Sequence, residues 1–159
     1  MNLSAILAWI LALFRQEEKC IATAAAVMVN GNTLVTIAGG PIEIVDLQSV
    51  CVTTNDGTGS TLQYQSVPTV GSATTISGAT STLAGVAAGS SVRLAPTALS
   101  TAPAIALAAG GGAQLGTNVA NCITVQPGTL KIVVGVGSTT GTWKHYLRYK
   151  PLASSVTVS

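Results

Sequence analysis

Residues 118–152 read NVANCITVQPGTLKIVVGVGSTTGTWKHYLRYKPL, and apolar and polar side chains alternate with a period of two through its two longest runs. That period suits a pleated strand with one buried face and does not suit a helix, so this stretch commits the chain to β structure. In the first run Leu130, Ile132, Val134 and Val136 share a face, with Lys131 and Val133 opposite. In the second, Trp143, His145, Leu147 and Tyr149 share a face, and Lys144, Tyr146 and Arg148 share the other. Pro127-Gly128 separates the short run Ile123–Val125 from the first, because proline presets a turn φ and glycine accepts a positive one. Gly137 to Gly141 separates the first run from the second. Strand, turn, strand, turn, strand predicts a half-buried antiparallel meander.

The rest of the chain fits the same class. Asn30-Gly31 between AAAVMV and TLVTIA predicts a tight type I′ hairpin, and Gly39-Gly40-Pro41 ends the strand that follows. Residues 42–54 form a long strand candidate, with Ile42, Ile44 and Asp46 alternating against Glu43, Val45 and Leu47 before Val50 and Val52. Residues 55–59, NDGTG, are a turn; their single aspartate is too little for a calcium cage. Residues 61–67 add a strand in which Leu62, Tyr64 and Ser66 alternate against Gln63 and Gln65. From Pro68 to Gly116, short Ser/Thr/Ala/Val runs are separated by Gly71, Gly78, Gly85, Gly89, Pro96, Pro103 and Gly110-Gly111-Gly112, and such short strands with recurring turn signals suggest a sandwich or barrel.

Composition narrows the function. A chain of 159 residues makes one domain, or one with an appendage. Only 8% of its residues are charged, against a usual ~25%. A surface so short of charge is best tolerated when much of it is covered by other copies or by a larger assembly. The net charge of +2 gives no reason to expect nucleic-acid binding. Lys144, Arg148 and Lys150 on the last strand read as a solvated or edge-protecting face. The carboxylates are Glu17, Glu18, Glu43, Asp46 and Asp56, and residues 57–159 hold none. General acid/base pairs, cation cages and oriented triads all need such groups, which argues against an enzyme and against a metal or other cofactor. His145 is the only histidine and shares its face with Trp143 and Leu147, so it reads as a core or interface side chain. Cys20, Cys51 and Cys122 have no zinc-like spacing; buried free thiols are the plainer reading, with a Cys51–Cys122 bridge open if their strands pair.

Residues 1–14 differ from everything else. Leu3, Ile6, Leu7, Ile10 and Phe14 fall on one helical face, Trp9, Leu11 and Leu13 cover much of the rest, and RQEEK follows as a polar close. The run is shorter than the ~20 apolar residues of a membrane span, which disfavours membrane contact. It also lacks the basic start and small-residue cleavage site of a secretory signal. Burial against protein remains, and Leu3, Ile6, Leu7, Trp9, Ile10 and Phe14 are the candidate partner-binding residues. The expected organisation is an N-terminal helical arm over residues 1–20 and a β-sandwich domain over 21–159.

A resemblance adds to this. Ile123-Thr124-Val125-Gln126-Pro127-Gly128-Thr129-Leu130, then the small-residue turn of 135–142, then Trp143-Lys144-His145-Tyr146-Leu147-Arg148-Tyr149-Lys150-Pro151-Leu152 resemble the C-terminal strands of small structural proteins of tailed bacteriophage virions. Looser similarity runs upstream through Asn55 to Pro68 and covers about Gly31 to Leu152. The resemblance carries no catalytic residues, and the helical run of residues 1–14 is a departure from it. It implies an all-β, jelly-roll-like antiparallel sandwich. It further implies a capsid decoration, or cement, protein on the virion surface, assembled in the host cytoplasm. Such a protein would bridge major capsid protein subunits as a homodimer or homotrimer. A head-fibre or tail-associated receptor- or glycan-binding module is the alternative.

Overall fold

A computed structural model describes residues 17–94, 104–106, 123–136 and 140–159. They are all-β, with twelve strands: β1 (Lys19–Ala22), β2 (Ala26–Val27), β3 (Thr33–Ala38), β4 (Ile42–Cys51), β5 (Leu62–Pro68), β6 (Thr74–Thr75), β7 (Ser91–Arg93), β8 (Ala104–Ala106), β9 (Ile123–Val125), β10 (Gly128–Val134), β11 (Thr142–Pro151) and β12 (Thr157–Val158). No helix occurs among the described residues. The expected arm of residues 1–14 lies outside them. The first strand starts at Lys19, so Lys19 and Cys20 belong to a sheet.

Two sheets form, antiparallel throughout. One runs β1-β11-β4-β7-β8, with β2 also on β11 and β9 also on β4; the other runs β12-β3-β10-β5-β6. The pairings are nested. β5 pairs β6 at the centre, β4 pairs β7 around them, then β3 pairs β10, then β1 pairs β11. The chain is in effect one long hairpin, doubled back between β5 and β6 and folded over so that its strands fall into two sheets. Cross pairs β10–β5 and β11–β4 stitch the two arms together.

The inward faces of both sheets contribute to one hydrophobic core. From β11 it takes Trp143, Leu147 and Tyr149; from β10, Leu130, Ile132 and Val134; from β5, Leu62 and Tyr64. The period-two reading of these strands therefore identifies their inner faces correctly. Their neighbours are another matter. β9 and β11 lie in one sheet and β10 in the other, so the three strands do not form a meander. Each connection crosses the core. Pro127-Gly128 is a corner between sheets, and Gly128 (φ +151°) is pressed so closely on the Val67 carbonyl that a Cβ would have no room. Val136 falls beyond the end of β10 and is exposed.

Asn30-Gly31 is likewise no hairpin, since β2 and β3 lie in different sheets. Among the described residues only glycines have positive φ, and Gly31 stands at +85°. With Asn32 N–H donating to Val29 O at 3.0 Å, this is the pattern of a type II turn rather than type I′. The turn is held on β10, where Gly31 N–H donates to Ile132 O at 3.0 Å and Val134 N–H to Asn30 Oδ1 at 3.1 Å.

Strict alternation fails at two points, both explained by extra residues. On β4 the register against β11 steps from Asp46 to Ile44, leaving Val45 unpaired. This bulge resets the phase, so Leu47, Ser49 and Cys51 point inward and Asp46 outward, the reverse of the expected alternation. On β3 the register against β10 skips Leu34, which lets Leu34 and Val35 both be buried.

Candidate functional site

The residues singled out for partner binding, Leu3, Ile6, Leu7, Trp9, Ile10 and Phe14, lie outside the described residues. Among the described residues, chemistry-bearing side chains gather in two places: a polar chain inside the core, and a charged network on the outside of the seven-stranded sheet.

The inner chain joins the two sheets. His145 on β11 and Ser49 on β4 are register partners, so their side chains share the inner face, and Ser49 Oγ lies 2.6 Å from His145 Nδ1. Tyr64 reaches across from β5, its hydroxyl 2.7 Å from Ser49 Oγ. All three are buried; Ser49 and Tyr64 have no exposed surface and His145 retains 8%. Each hydroxyl carries one proton, and Ser49 is the only partner of the Tyr64 hydroxyl among the described residues. Tyr64 O–H therefore donates to Ser49, and Ser49 O–H donates to Nδ1, which places the imidazole proton on Nε2. Burial lowers the His145 pKa to about 4, so the ring is neutral at pH 7. Burial likewise pushes the Tyr64 phenol up, opposed by the Ser49 hydrogen bond and reinforced by the Asp46 charge. A serine bonded to a histidine is the core of a nucleophilic device, but Ser49 is sealed from any substrate and no carboxylate orients this ring. What the arrangement does chemically is satisfy three buried polar groups and fix the two sheets relative to each other.

A second buried polar residue organises the loop after β4. Asn55 is 2% exposed; its Nδ2 donates to Leu83 O at 2.8 Å and to Ser60 Oγ at 3.1 Å. Its Oδ1 accepts from Trp143 Nε1 at 3.5 Å. The NDGTG segment is a turn, as expected, with Thr58 N–H donating to Asp56 Oδ1 at 3.0 Å. Cys51 is buried and free; burial raises its thiol pKa, and its Sγ lies 3.1 Å from Thr53 O. Cys20 is exposed, and Cys122 lies outside the described residues. No group of three His, Cys, Asp or Glu that could hold a metal occurs among the described residues, nor any helix long and apolar enough to cross a membrane.

The outer faces of the two sheets contrast sharply. On the seven-stranded sheet, Arg93 forms a two-pronged pair with Asp46 (2.7 and 2.9 Å). Lys150 lies 3.8 Å from Glu43 and 4.0 Å from Glu18, and Arg148 lies 3.4 Å from Glu18. Lys144 sits 5.4 Å from the centre of the Tyr146 ring. The expected edge-protecting role for Lys144, Arg148 and Lys150 does not hold, because β11 is flanked by β1 and β4. They form a solvated, paired face instead. The five-stranded sheet presents Thr33, Thr36, Gln63, Gln65, Thr129 and Val133, with Lys131 as its one charge among the described residues. Ser49, Tyr64 and Asn55 carried no warning in the sequence, since hydroxyl and amide side chains have no periodic signature. The inward phase of Tyr64 was the one available clue.

No family model, no curated protein and no solved structure matches this chain.

Proposed function

We propose that this chain is a jelly-roll β-sandwich acting as a virion structural protein, a capsid decoration protein that bridges major capsid protein subunits of a phage head. The nested pairing supports the fold assignment: β1-β11-β4-β7 on one side and β3-β10-β5-β6 on the other is the strand order of two interlocked Greek keys. That architecture recurs in viral capsid proteins but also in lectins and cupins, so it supports function by analogy only.

The observation that carries the functional reading is the segregation of charge. Interface centres are depleted of charged residues, because pulling ions out of water is costly. The Thr/Gln face of the five-stranded sheet can be desolvated cheaply, and its amide and hydroxyl groups can bond a partner backbone. The opposite face, with its ion pairs, belongs in water. The five strands, of two to seven residues each, cover roughly 400 Å². That falls short of the ~800 Å² per partner in a stable binary complex, and suits a protein held by many repeated contacts. The apolar residues Leu3, Ile6, Leu7, Trp9, Ile10 and Phe14 would extend the contact into a groove of the shell or a bundle with symmetry mates.

The deciding experiment is the copy number and position of this chain in purified virions, from quantitative mass spectrometry and a cryo-EM map. Hundreds of copies on the head are expected. A handful at a vertex or tail would instead favour the receptor- or glycan-binding module, and absence from particles would refute both.

A further inference from the structure

His145 is the only histidine of the chain, and it sits where the two sheets are tied together. With the ring neutral, both hydroxyl protons of the Tyr64–Ser49–His145 chain have an acceptor. Nε2 already holds a proton, so an incoming proton goes to Nδ1 and turns it from acceptor to donor. Ser49 Oγ must then accept from the ring and turn its own proton toward Tyr64. The Tyr64 hydroxyl, with no exposed surface, loses its acceptor.

Among the described residues the surroundings offer no compensation. The small cavity beside the ring is lined by aliphatic side chains and Thr23, contributed by β1, β3, β4, β10, β11 and the residue after β1. None of these is titratable. Thr23 is already occupied, its Oγ1 accepting from His145 N–H at 3.1 Å. Tyr64 is the other titratable member of the hydrogen-bonded trio, Cys51 and Tyr149 being the other titratable core residues among those described, and Asp46, on the outer face of β4, acts on that tyrosine. A protonated ring therefore gains no counter-charge, and the bond that links the sheets is reversed, at the cost of a buried Tyr64 proton left without an acceptor among the described residues.

We propose that the Tyr64–Ser49–His145 chain is an acid-operated latch, closed when His145 is neutral and released when it takes up a proton, so that acid loosens the contact between the two sheets. The proposal is independent of what the outer faces bind. Its sign follows from linkage. The folded ring titrates at about 4, below its ordinary 6.5, so the open state binds the proton more readily. The latch is fully closed above about pH 6.5 and is lost as pH falls toward 4. Carboxylates join the titration below about pH 5, leaving pH 5–6.5 as the window that belongs to His145.

The test is amide hydrogen exchange of the full chain across that window, following β4 and β5. Protection should fall with pH, approaching tenfold per unit at its lower end. In His145→Gln, whose side chain cannot titrate, protection should be flat from pH 6.5 to 5. A flat wild-type profile, or an unchanged slope in the variant, overturns the proposal. Should His145→Gln fail to fold, the imidazole is titrated by NMR in the folded wild type. A midpoint near 4 with coupled shifts of the Ser49 and Tyr64 resonances supports the latch, and a midpoint near 6.5 refutes it.

Discussion

Ser49→Ala removes a single oxygen, yet it should be among the most damaging small changes in the chain. Ser49 Oγ is shared by two buried partners, His145 Nδ1 at 2.6 Å and Tyr64 OH at 2.7 Å. Its loss orphans both, in a region where water is excluded. Each unsatisfied buried group costs about 1–3 kcal/mol; two orphans, partly offset because the serine hydroxyl itself is no longer desolvated, give an expected loss of about 2–4 kcal/mol. A domain of this size has only about 5–15 kcal/mol to lose. In urea, with a slope of about 2 kcal/mol per molar, the unfolding midpoint should fall by roughly 1–2 M. A second substitution sharpens the test. Adding Tyr64→Phe deletes one of the two orphans, so the double variant should be about 1 kcal/mol more stable than Ser49→Ala alone. Tyr64→Phe by itself should cost about 1 kcal/mol, because Ser49 keeps its bond to the ring. The reasoning fails if Ser49→Ala lies within about 0.5 kcal/mol of wild type, or if the two substitutions simply add.

Other perturbations separate further parts of the account. Gly128→Ala meets both a φ of +151° and the Val67 carbonyl, whereas Gly31→Ala meets a φ of +85° in open space; thermal melts should show the first costing about 2–4 kcal/mol and the second about 1. Leu130, 1% exposed at the centre of β10, should cost about 2–5 kcal/mol as alanine by denaturant titration. Asp46→Asn breaks a partly exposed pair with Arg93 and should cost no more than about 1 kcal/mol, with the difference shrinking in 1 M salt. Thr129→Lys puts a second charge beside Lys131 on the otherwise uncharged Thr/Gln face; circular dichroism should be unchanged while incorporation into particles falls at least tenfold.

The two long alternating runs show how far the sequence goes. Trp143, His145, Leu147 and Tyr149 face the core as the alternation requires, and so do Leu130, Ile132 and Val134. Alternation reports which side of a strand is buried and nothing about which strand lies beside it. That is why turns such as Pro127-Gly128 and Asn30-Gly31 were legible as turns and misread as hairpins. A hairpin and a sheet-crossing corner both need glycine at a positive φ, and the difference lies in the partners 40 or more residues away. The bulges on β3 and β4 were hidden for a related reason. Val45 and Leu34 are ordinary strand residues, and only the register against β11 and β10 makes them surplus. Without the bulge, Leu47 would face water and Asp46 the core. The burial of a leucine and the solvation of an aspartate together favour the kinked strand over the regular one.

The polar chain in the core was the least legible feature, and its position follows from the same bulge. Ser49 points inward only because Val45 shifts the phase of everything after it, and the shift also sets Ser49 opposite His145. An unbroken strand would turn Ser49 outward and leave Tyr64 and His145 buried without partners. Conversely, the three-residue chain penalises any slip of β4 by one residue, since a slip would cost both hydrogen bonds as well as the apolar burial. Polar groups in a core add little net stability over apolar ones, but they make wrong registers expensive. Deleting Val45 tests the link directly. Ile44 and Asp46 already oppose Tyr149 and Arg148, so removing the surplus residue should give a regular β4 that keeps Leu47, Ser49 and Cys51 inward, with His145 and Ser49 still paired in the NMR spectrum. A folded variant with an unpaired His145 would show that the polar chain does not hold the register.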